Sequence, residues 1–256
     1  MEFEKQIKNH FLKGHEIFLR HISIDCVVFG FHENELRALL LKSRVFDKLS
    51  LPGGFVMLDE AMDAAAHRIL KERTGLDKIF LQQFHVFSDP LRSHRKLLLD
   101  LFKEMKVAPG ESWMFERFIS AGYSALVDFT KVKPMPDILS ETCQWFSIKD
   151  IPELALDHNL ILEKALEHLR LQLNYQPVGY NLLPLKFTMP ELQALYETVL
   201  DRKLDRRNFH RKMMSTGILI KLKETKKGVA HKAPFYYKFD LHKYEKALKV
   251  GMGFQL

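Results

Sequence analysis

The spacing of apolar and polar positions changes along this chain, and each spacing predicts a different element. Residues 22 to 30, ISIDCVVFG, and 35 to 44, ELRALLLKSR, are dense in β-branched and apolar side chains and are separated by HEN, so they predict two strands joined by a turn. LPGG then breaks the pattern. A helix is expected from about Asp59 to Thr74, closed by Gly75, because a residue without Cβ takes the left-handed conformation that ends a helix. Strand-like runs return at 79 to 87 (IFLQQFHVF), 119 to 129 (ISAGYSALVDF) and 143 to 148 (CQWFSI), while RKLLLDLFKEMKV, 95 to 107, predicts a further helix. From 157 to 173, Leu162, Ala165, Leu166, Leu169 and Leu173 recur at helical spacing and give that helix one face to lay on a sheet. The first twenty residues mix Glu, Lys and His through their apolar positions, which fits a short amphipathic helix and not a secretory leader.

NYQPVGYNLLPLK, 174 to 186, has two prolines and a glycine between two clear helices, so the domain boundary is placed there. The resulting division is a first domain of residues 1–175, a linker of 176–186 and a second domain of 187–256. FTMPELQALYETVL opens with Thr188 and Glu191 at capping-box spacing and puts Leu192, Leu195, Tyr196 and Val199 on one face. A second helix runs from about Asp205 to Met214, and strands at 218 to 222 and 233 to 239 flank KETKKGVAHK. Helix, turn, helix and basic hairpin are the parts of a winged helix-turn-helix. The expected fold is therefore a mixed α/β (α+β) sheet with flanking helices, followed by a C-terminal winged helix.

Composition narrows the function. With 46% hydrophobic and 28% charged residues, the chain can bury a core. No stretch approaches the roughly 18 apolar residues of a membrane span, so no membrane partner is expected. Cys26 and Cys143 lie in apolar, strand-like runs, which points to reduced, buried thiols in a cytoplasmic protein. The twelve histidines show no metal-ligand spacing, and neither metal nor cofactor is expected. The net charge of +7 is unevenly placed: residues 180 to 256 hold 16 Lys or Arg against 7 Asp or Glu, leaving 23 against 25 for the remainder. A polyanion is the natural partner of that basic third.

Wound at 100° per residue, DRRNFHRKMM puts Phe209 and Met213 on one side and Arg207, Asn208 and Arg211 on the other. Arginine and asparagine make paired hydrogen bonds to guanine and adenine edges in the major groove. Arg206, His210 and Lys212 flank that face within reach of phosphates, and Lys226, Lys227, His231 and Lys232 of the hairpin can meet backbone or minor groove. Duplex DNA is the expected partner. RNA is disfavoured because no aromatic stacking platform accompanies these residues.

In the first domain, GGFVMLDEAMDAAAHRILKERTGL resembles the Nudix box, G-x5-E-x7-R-E-U-x-E-E-x-G-U with U aliphatic. Gly54, Glu60, Arg68, Leu70, Glu72, Gly75 and Leu76 match, whereas Ile69 and Arg73 stand where the box has glutamates. In active members those glutamates hold Mg²⁺ against a diphosphate. One remaining carboxylate beside a permanent guanidinium binds such a cation poorly. The resemblance thus implies a cleft that binds what it no longer cuts, with Arg44, Phe55, Glu72, Arg73, His85 and Arg92 as candidate effector contacts. One alternative is a Nudix pyrophosphatase that recruits metal ligands from Asp59, Glu60 or the 112 to 116 loop. Another is a module that recruits a protein through its basic domain.

Together the two halves resemble the Nudix-related transcriptional regulators, and most nearly their sugar-responsive, arabinose-regulator branch in Bacteroidetes. LPGGFV, RILKERTGL, the aspartate-histidine pair of ELALDHN, GYNLLP, FTMPELQALYE, DRRNFHRK and PFYYKF carry the likeness. It implies a homodimeric repressor or activator on a palindromic operator, responding to an effector such as ADP-ribose or L-arabinose, within carbohydrate metabolism. The chain departs from the pattern at residues 93–118, an extra segment expected to border the cleft.

Overall fold

The computed structural model describes residues 2–44, 47–76, 80–92, 99, 102–103, 107–137, 139–173, 176, 180, 182–228 and 233–250. It divides into two compact units, one formed by Met1–Val28, Ala38–Ala125 and Lys131–Ala165, the other by Phe29–Arg37, Leu126–Thr130 and Leu166–Leu256.

The amphipathic start is helix α1 (Glu2–Lys13), followed by a 3₁₀ turn over Gly14–Glu16. Strand β1 (Phe18–His32) begins earlier than the apolar run indicates, because Arg20 and His21 occupy an irregular stretch where His21 turns left-handed at φ 67°. β2 (Glu35–Ser43) returns from it, and β3 (Leu49–Ser50) and β4 (Gly53–Met57) follow. The LPGG break is thus the entry to a strand. Gly53 and Gly54 lie in β4 because side chains would not fit: a Cβ on Gly53 would come 2.8 Å from the Ile24 carbonyl oxygen, and one on Gly54 3.0 Å from Ile69. With β5 (Phe80–Phe87), β6 (Ile119–Val127) and β7 (Ser140–Ser147), the sheet has the order β3-β2-β1-β6-β5, with β4 added on β1 and β7 on β2.

Helix α2 (Met62–Thr74) starts three residues later than expected and buries Ala65, Ala66, Ile69 and Leu70 completely. Full burial of side chains the size of Ile69 and Leu70 stabilises by about 1.5–3 kcal/mol each. Gly75 ends the helix at φ 71°, its N–H donating to the Lys71 carbonyl. Helix α3 (His158–Gln172) buries Ile161, Leu162, Ala165 and Leu169, while Leu166 is only half-buried. Of the helix expected at 95 to 107, Leu99, Phe102 and Lys103 are helical and Val107 is not; the rest lies outside the described residues. Phe102 and Val107 pack with Ile7 and Phe11 of α1. Cys26 and Cys143 are buried free thiols, and burial pushes the Cys143 thiol up to about 11.

In the second unit, β8 (Phe187–Thr188) leads into α4 (Met189–Leu200), then α5 (Arg206–Ser215), β9 (Leu219–Thr225), β10 (Phe235–Phe239) and α6 (Leu241–Val250). The expected capping box is present, with Thr188 Oγ1 accepting from the Glu191 N–H at 3.4 Å and Glu191 Oε2 accepting from the Thr188 N–H at 2.7 Å. Asp205 caps α5. The three strands pair antiparallel in the order β8-β10-β9, and Tyr196 meets Phe209 edge-on between α4 and α5. β8 and α6 are not among the elements expected from the sequence. The tip of the β1–β2 hairpin belongs to this unit: Thr198 Oγ1 donates to the Asn34 carbonyl at 3.1 Å, and His32 stacks on Phe129. Among the described residues no helix is long and apolar enough to cross a membrane.

Candidate functional site

The first unit encloses a cavity of about 350 Å³ between β1, β4, α2 and the loops that cross them. Its polar side is organised by Arg92, which a 3₁₀ turn (Pro90–Arg92) places against two aspartates. Arg92 Nε and Nη2 donate to the two carboxylate oxygens of Asp157 at 2.9 and 3.1 Å, and Nη2 reaches Asp25 Oδ2 at 3.4 Å. Asp25 Oδ2 also accepts from Ser120 Oγ at 2.5 Å. His158 Nδ1 accepts from the Leu51 N–H at 2.9 Å, so the other ring nitrogen carries the proton that faces Asp25 Oδ1 at 3.5 Å. A buried charge persists when it is paired and hydrogen-bonded, and the Arg92 side chain, 9% exposed, meets both conditions.

The Nudix-box helix supplies the second polar patch. Arg68 forks onto Glu60 at 2.9 and 2.8 Å and donates to the Phe55 carbonyl, and that guanidinium holds the Glu60 carboxyl below its ordinary range. Glu72 stands 3.6 Å from Arg68 and 3.8 Å from Arg73. Arg73 is itself buried and donates to Asp137 at 2.8 Å. Ile69 lies buried under Gly54.

These donors do not fit the Mg²⁺ ion that Nudix hydrolysis uses. Such an ion takes six oxygen ligands with near-octahedral geometry and needs carboxylates free to turn toward it. Here Glu60 is committed to Arg68, Ile69 offers no donor, and the Arg73 guanidinium stands beside Glu72. Among the described residues no group of three His, Cys, Asp or Glu could hold a metal ion.

Of the six candidate effector contacts, the structure brings Phe55, Glu72, Arg73 and Arg92 together on the cavity. Arg44 is exposed and donates to the Ser140 carbonyl, and His85 is exposed on β5 against Phe87; neither lines it. Asp25, Asp137, Asp157 and His158 line the cavity although sequence reasoning did not name them as contacts. ELALDHN, just before an amphipathic helix, was the available signal, whereas Asp25 is hidden inside an apolar strand.

On α5, Arg206, Arg207, Asn208, His210 and Arg211 are exposed, Lys212 is half-buried, and Phe209 and Met213 face inward. Arg211 Nη2 donates to Asn208 Oδ1 at 2.6 Å, which fixes a guanidinium-amide pair at the surface. Arg206, Arg207 and His210 border a shallow depression with Phe235 and Tyr237 of β10. In the wing, Lys226 donates to Glu191 at 2.8 Å and Lys227 is exposed. His231 and Lys232 lie outside the described residues.

A Nudix-like sheet with a cavity over its box helix, followed by a winged helix with an outward basic face, defines a two-domain class of protein. Residues 19–169 match the NUDIX domain and residues 179–239 the NrtR DNA-binding winged helix domain. The chain belongs to the Nudix family. It is 29% identical over 232 residues, 88% of this chain and 84% of the relative, to the ADPR responsive transcriptional repressor NtrR of Acinetobacter baylyi. It is 28% identical over 163 residues, 62% of this chain and 82% of the relative, to the ADP-ribose pyrophosphatase of Methanocaldococcus jannaschii. Its fold is similar to that of Shewanella oneidensis NrtR complexed with a 27mer DNA, with a TM-score of 0.72 at 21% identity, covering 93% of this chain and 100% of that one.

Proposed function

We propose that this chain is a sequence-specific, DNA-binding transcriptional regulator whose Nudix domain holds a hydroxylated effector without hydrolysing it. Residues 1–175 act as sensor, 176–186 as linker and 187–256 as reader, in a cytoplasmic homodimer on a palindromic operator. Arg73 carries this reading: a box position that needs a metal-binding carboxylate holds a guanidinium locked on Asp137, in a chain whose other half presents an exposed Arg-Asn-Arg face. The Acinetobacter repressor, similar over 88% of the chain, supports regulation as the output.

The lining points to the effector class. Five described carboxylates, Asp25, Glu72, Glu116, Asp137 and Asp157, face three guanidiniums, Arg68, Arg73 and Arg92. All three arginines are already paired, so no arginine of the described lining is left over for a diphosphate, while carboxylates accept hydrogen bonds from hydroxyls readily. The shared chemistry is a sugar, whether a free pentose, a sugar phosphate or the ribose of an ADP-ribose-like molecule. Effector binding changes transcription only if the DNA-competent and incompetent forms bind it unequally.

The second reading, a pyrophosphatase, draws on the archaeal relative and on the retained Glu60 and Glu72. One experiment separates the two: thermal unfolding with ADP-ribose, pentoses and pentose phosphates, paired with Mg²⁺-dependent product release from ADP-ribose. A ligand that binds only the native state raises the melting temperature by mass action. The expected result is a shift with a sugar-bearing ligand and no turnover; rapid turnover overturns the reading.

A further inference from the structure

Two elements that start at the cavity end on the same turn of α4. Asp25 lines the cavity from β1, and that strand runs on, out of the first unit and into the second, to the hairpin tip at Glu33 and Asn34. Asp157 and His158 line it from the start of α3, which likewise begins in the first unit and ends in the second. Arg92 ties the two starts together, because its guanidinium bonds Asp157 and reaches Asp25. The far ends meet adjacent residues of α4. Thr198 Oγ1 donates to the Asn34 carbonyl at 3.1 Å, and Arg170 Nε donates to the Val199 carbonyl at 2.9 Å. At helical rise the span from His158 to Arg170 is about 18 Å, too far for one small ligand to bridge, so any influence passes through the helix.

Both far-end bonds are directional. Glu33 and Asn34 turn left-handed at φ 51° and 61°, and the Asn34 carbonyl belongs to this turn and not to the strand ladder. The last four carbonyls of a helix have no partner within it, and Val199 is among them; a guanidinium there satisfies the oxygen and suits the negative end of the helix. The turn they grip also sets the reading helix. Beside Thr198, Glu197 Oε1 accepts from the Leu204 N–H at 2.9 Å, and Gln193 Nε2 donates to the Leu204 carbonyl at 2.9 Å. Leu204 directly precedes Asp205, the cap of α5, and Arg207, Asn208 and Arg211 follow on that helix.

We propose that Arg170 and Thr198 are positioning residues for DNA recognition, carrying the state of the Asp25–Arg92–Asp157 cluster to α4 and, through Leu204, to α5. An effector hydroxyl that bonds Asp25 or Asp157 draws on the carboxylate oxygens that Arg92 holds, and so shifts β1 and α3 relative to each other. Each far-end bond is then kept or broken, which gives α4 two settings in which the DNA-competent and incompetent forms differ. The inference rests on the proposed function and names the route by which the effector acts.

Anisotropy titration of a duplex selected by the wild-type chain, with and without ADP-ribose and in parallel D-ribose, tests it through the ratio of the two affinities. Thr198→Val removes the hydroxyl and keeps the shape of the side chain; Arg170→Ala removes the guanidinium. The expected result is a wild-type ratio of about 5–150-fold that falls below about twofold when both substitutions are combined, while calorimetry shows the ligand still bound. Arg170→Lys, which keeps a donor and the charge, retains more of the ratio than Arg170→Ala, and Glu163→Ala, exposed on α3, leaves it at the wild-type value. Lower duplex affinity with a wild-type ratio means a purely structural role and overturns the inference. Thermal unfolding shows whether each variant keeps the fold. If the combined variant loses it, Thr198→Val alone decides: a ratio at least halved supports the route, and a wild-type ratio overturns it. If neither ligand changes the wild-type duplex affinity, the effector reading itself falls, and this inference with it.

Discussion

Arginine appears in both halves of this molecule under opposite conditions. In the cavity, Arg68, Arg73 and Arg92 are each paired with a carboxylate, and Arg73 and Arg92 are nearly enclosed. On α5, Arg206 and Arg207 are exposed, and Arg211 bonds the neutral Asn208. A guanidinium whose charge is already matched holds loops in place and has little left for an anion. One left in water at the surface can exchange its counterions for a phosphate. The same residue type is therefore committed to structure in one region and, under the proposed function, left for recognition in the other.

Breaking a pair in the first region should cost the most. Asp137→Ala leaves buried Arg73 with only the longer 3.8 Å contact to Glu72, and losing the partner of a buried pair costs about 3–5 kcal/mol, read as a fall in the urea midpoint. Arg207→Ala should change stability by no more than about 0.5 kcal/mol, as surface changes do, and so barely move that midpoint. Equal losses at the two sites would erase the contrast.

In the second region the loss should fall on DNA. Arg207→Ala with Arg211→Ala removes two groups worth about 1–3 kcal/mol each in base discrimination, so selected-duplex affinity should drop by roughly 30-fold or more. Effector binding should not change. Anisotropy titration with wild-type-like affinity would show that another surface reads the duplex.

A smaller change sharpens the comparison inside the reader. Thr188→Ala opens the capping box of α4 and should cost about 1 kcal/mol of stability while leaving the α5 face intact. A loss of duplex affinity larger than the loss of stability would mean that α4 does more than support α5.

The smallest effect is a slope with pH. Burial holds the His10 imidazole below its ordinary value of 6.5, and burial acts on His168 in the same direction. As pH falls through that ordinary value the unfolded chain binds more protons than the folded one, so stability falls. His10→Gln should flatten that decline between about pH 7.5 and about pH 5.5, the range where an unperturbed imidazole titrates. An unchanged slope would place the titration elsewhere.

Both halves of the fold were legible because their signals are local. Capping residues at Thr188 and Asp205, the closing Gly75 and the periodicity of α3 act within a few residues of themselves. The two-residue strands β3 and β8 are too short to show a period, whereas α6 opens on Asp240, whose Oδ1 accepts from the Lys243 N–H at 3.3 Å, a cap signal the predicted elements left out. The cavity was half legible. Box positions 72 and 73 follow from the resemblance to the Nudix box, whereas Asp25, Asp137 and Asp157 come from three separate segments and reach one cavity only in the folded chain. Arg44 and His85 look like strand-end contacts in sequence, yet neither lines the cavity.

The most direct measurement combines both regions in one titration: a labelled duplex selected by the protein itself, with and without adenosine or ADP-ribose, and with Mg²⁺ present while nucleotide products are assayed. The account expects duplex affinity to change by about 5–150-fold on ligand addition, the usual range of coupling, with the ligand recovered intact. Rapid Mg²⁺-dependent cleavage, together with no binding to any duplex, would contradict it.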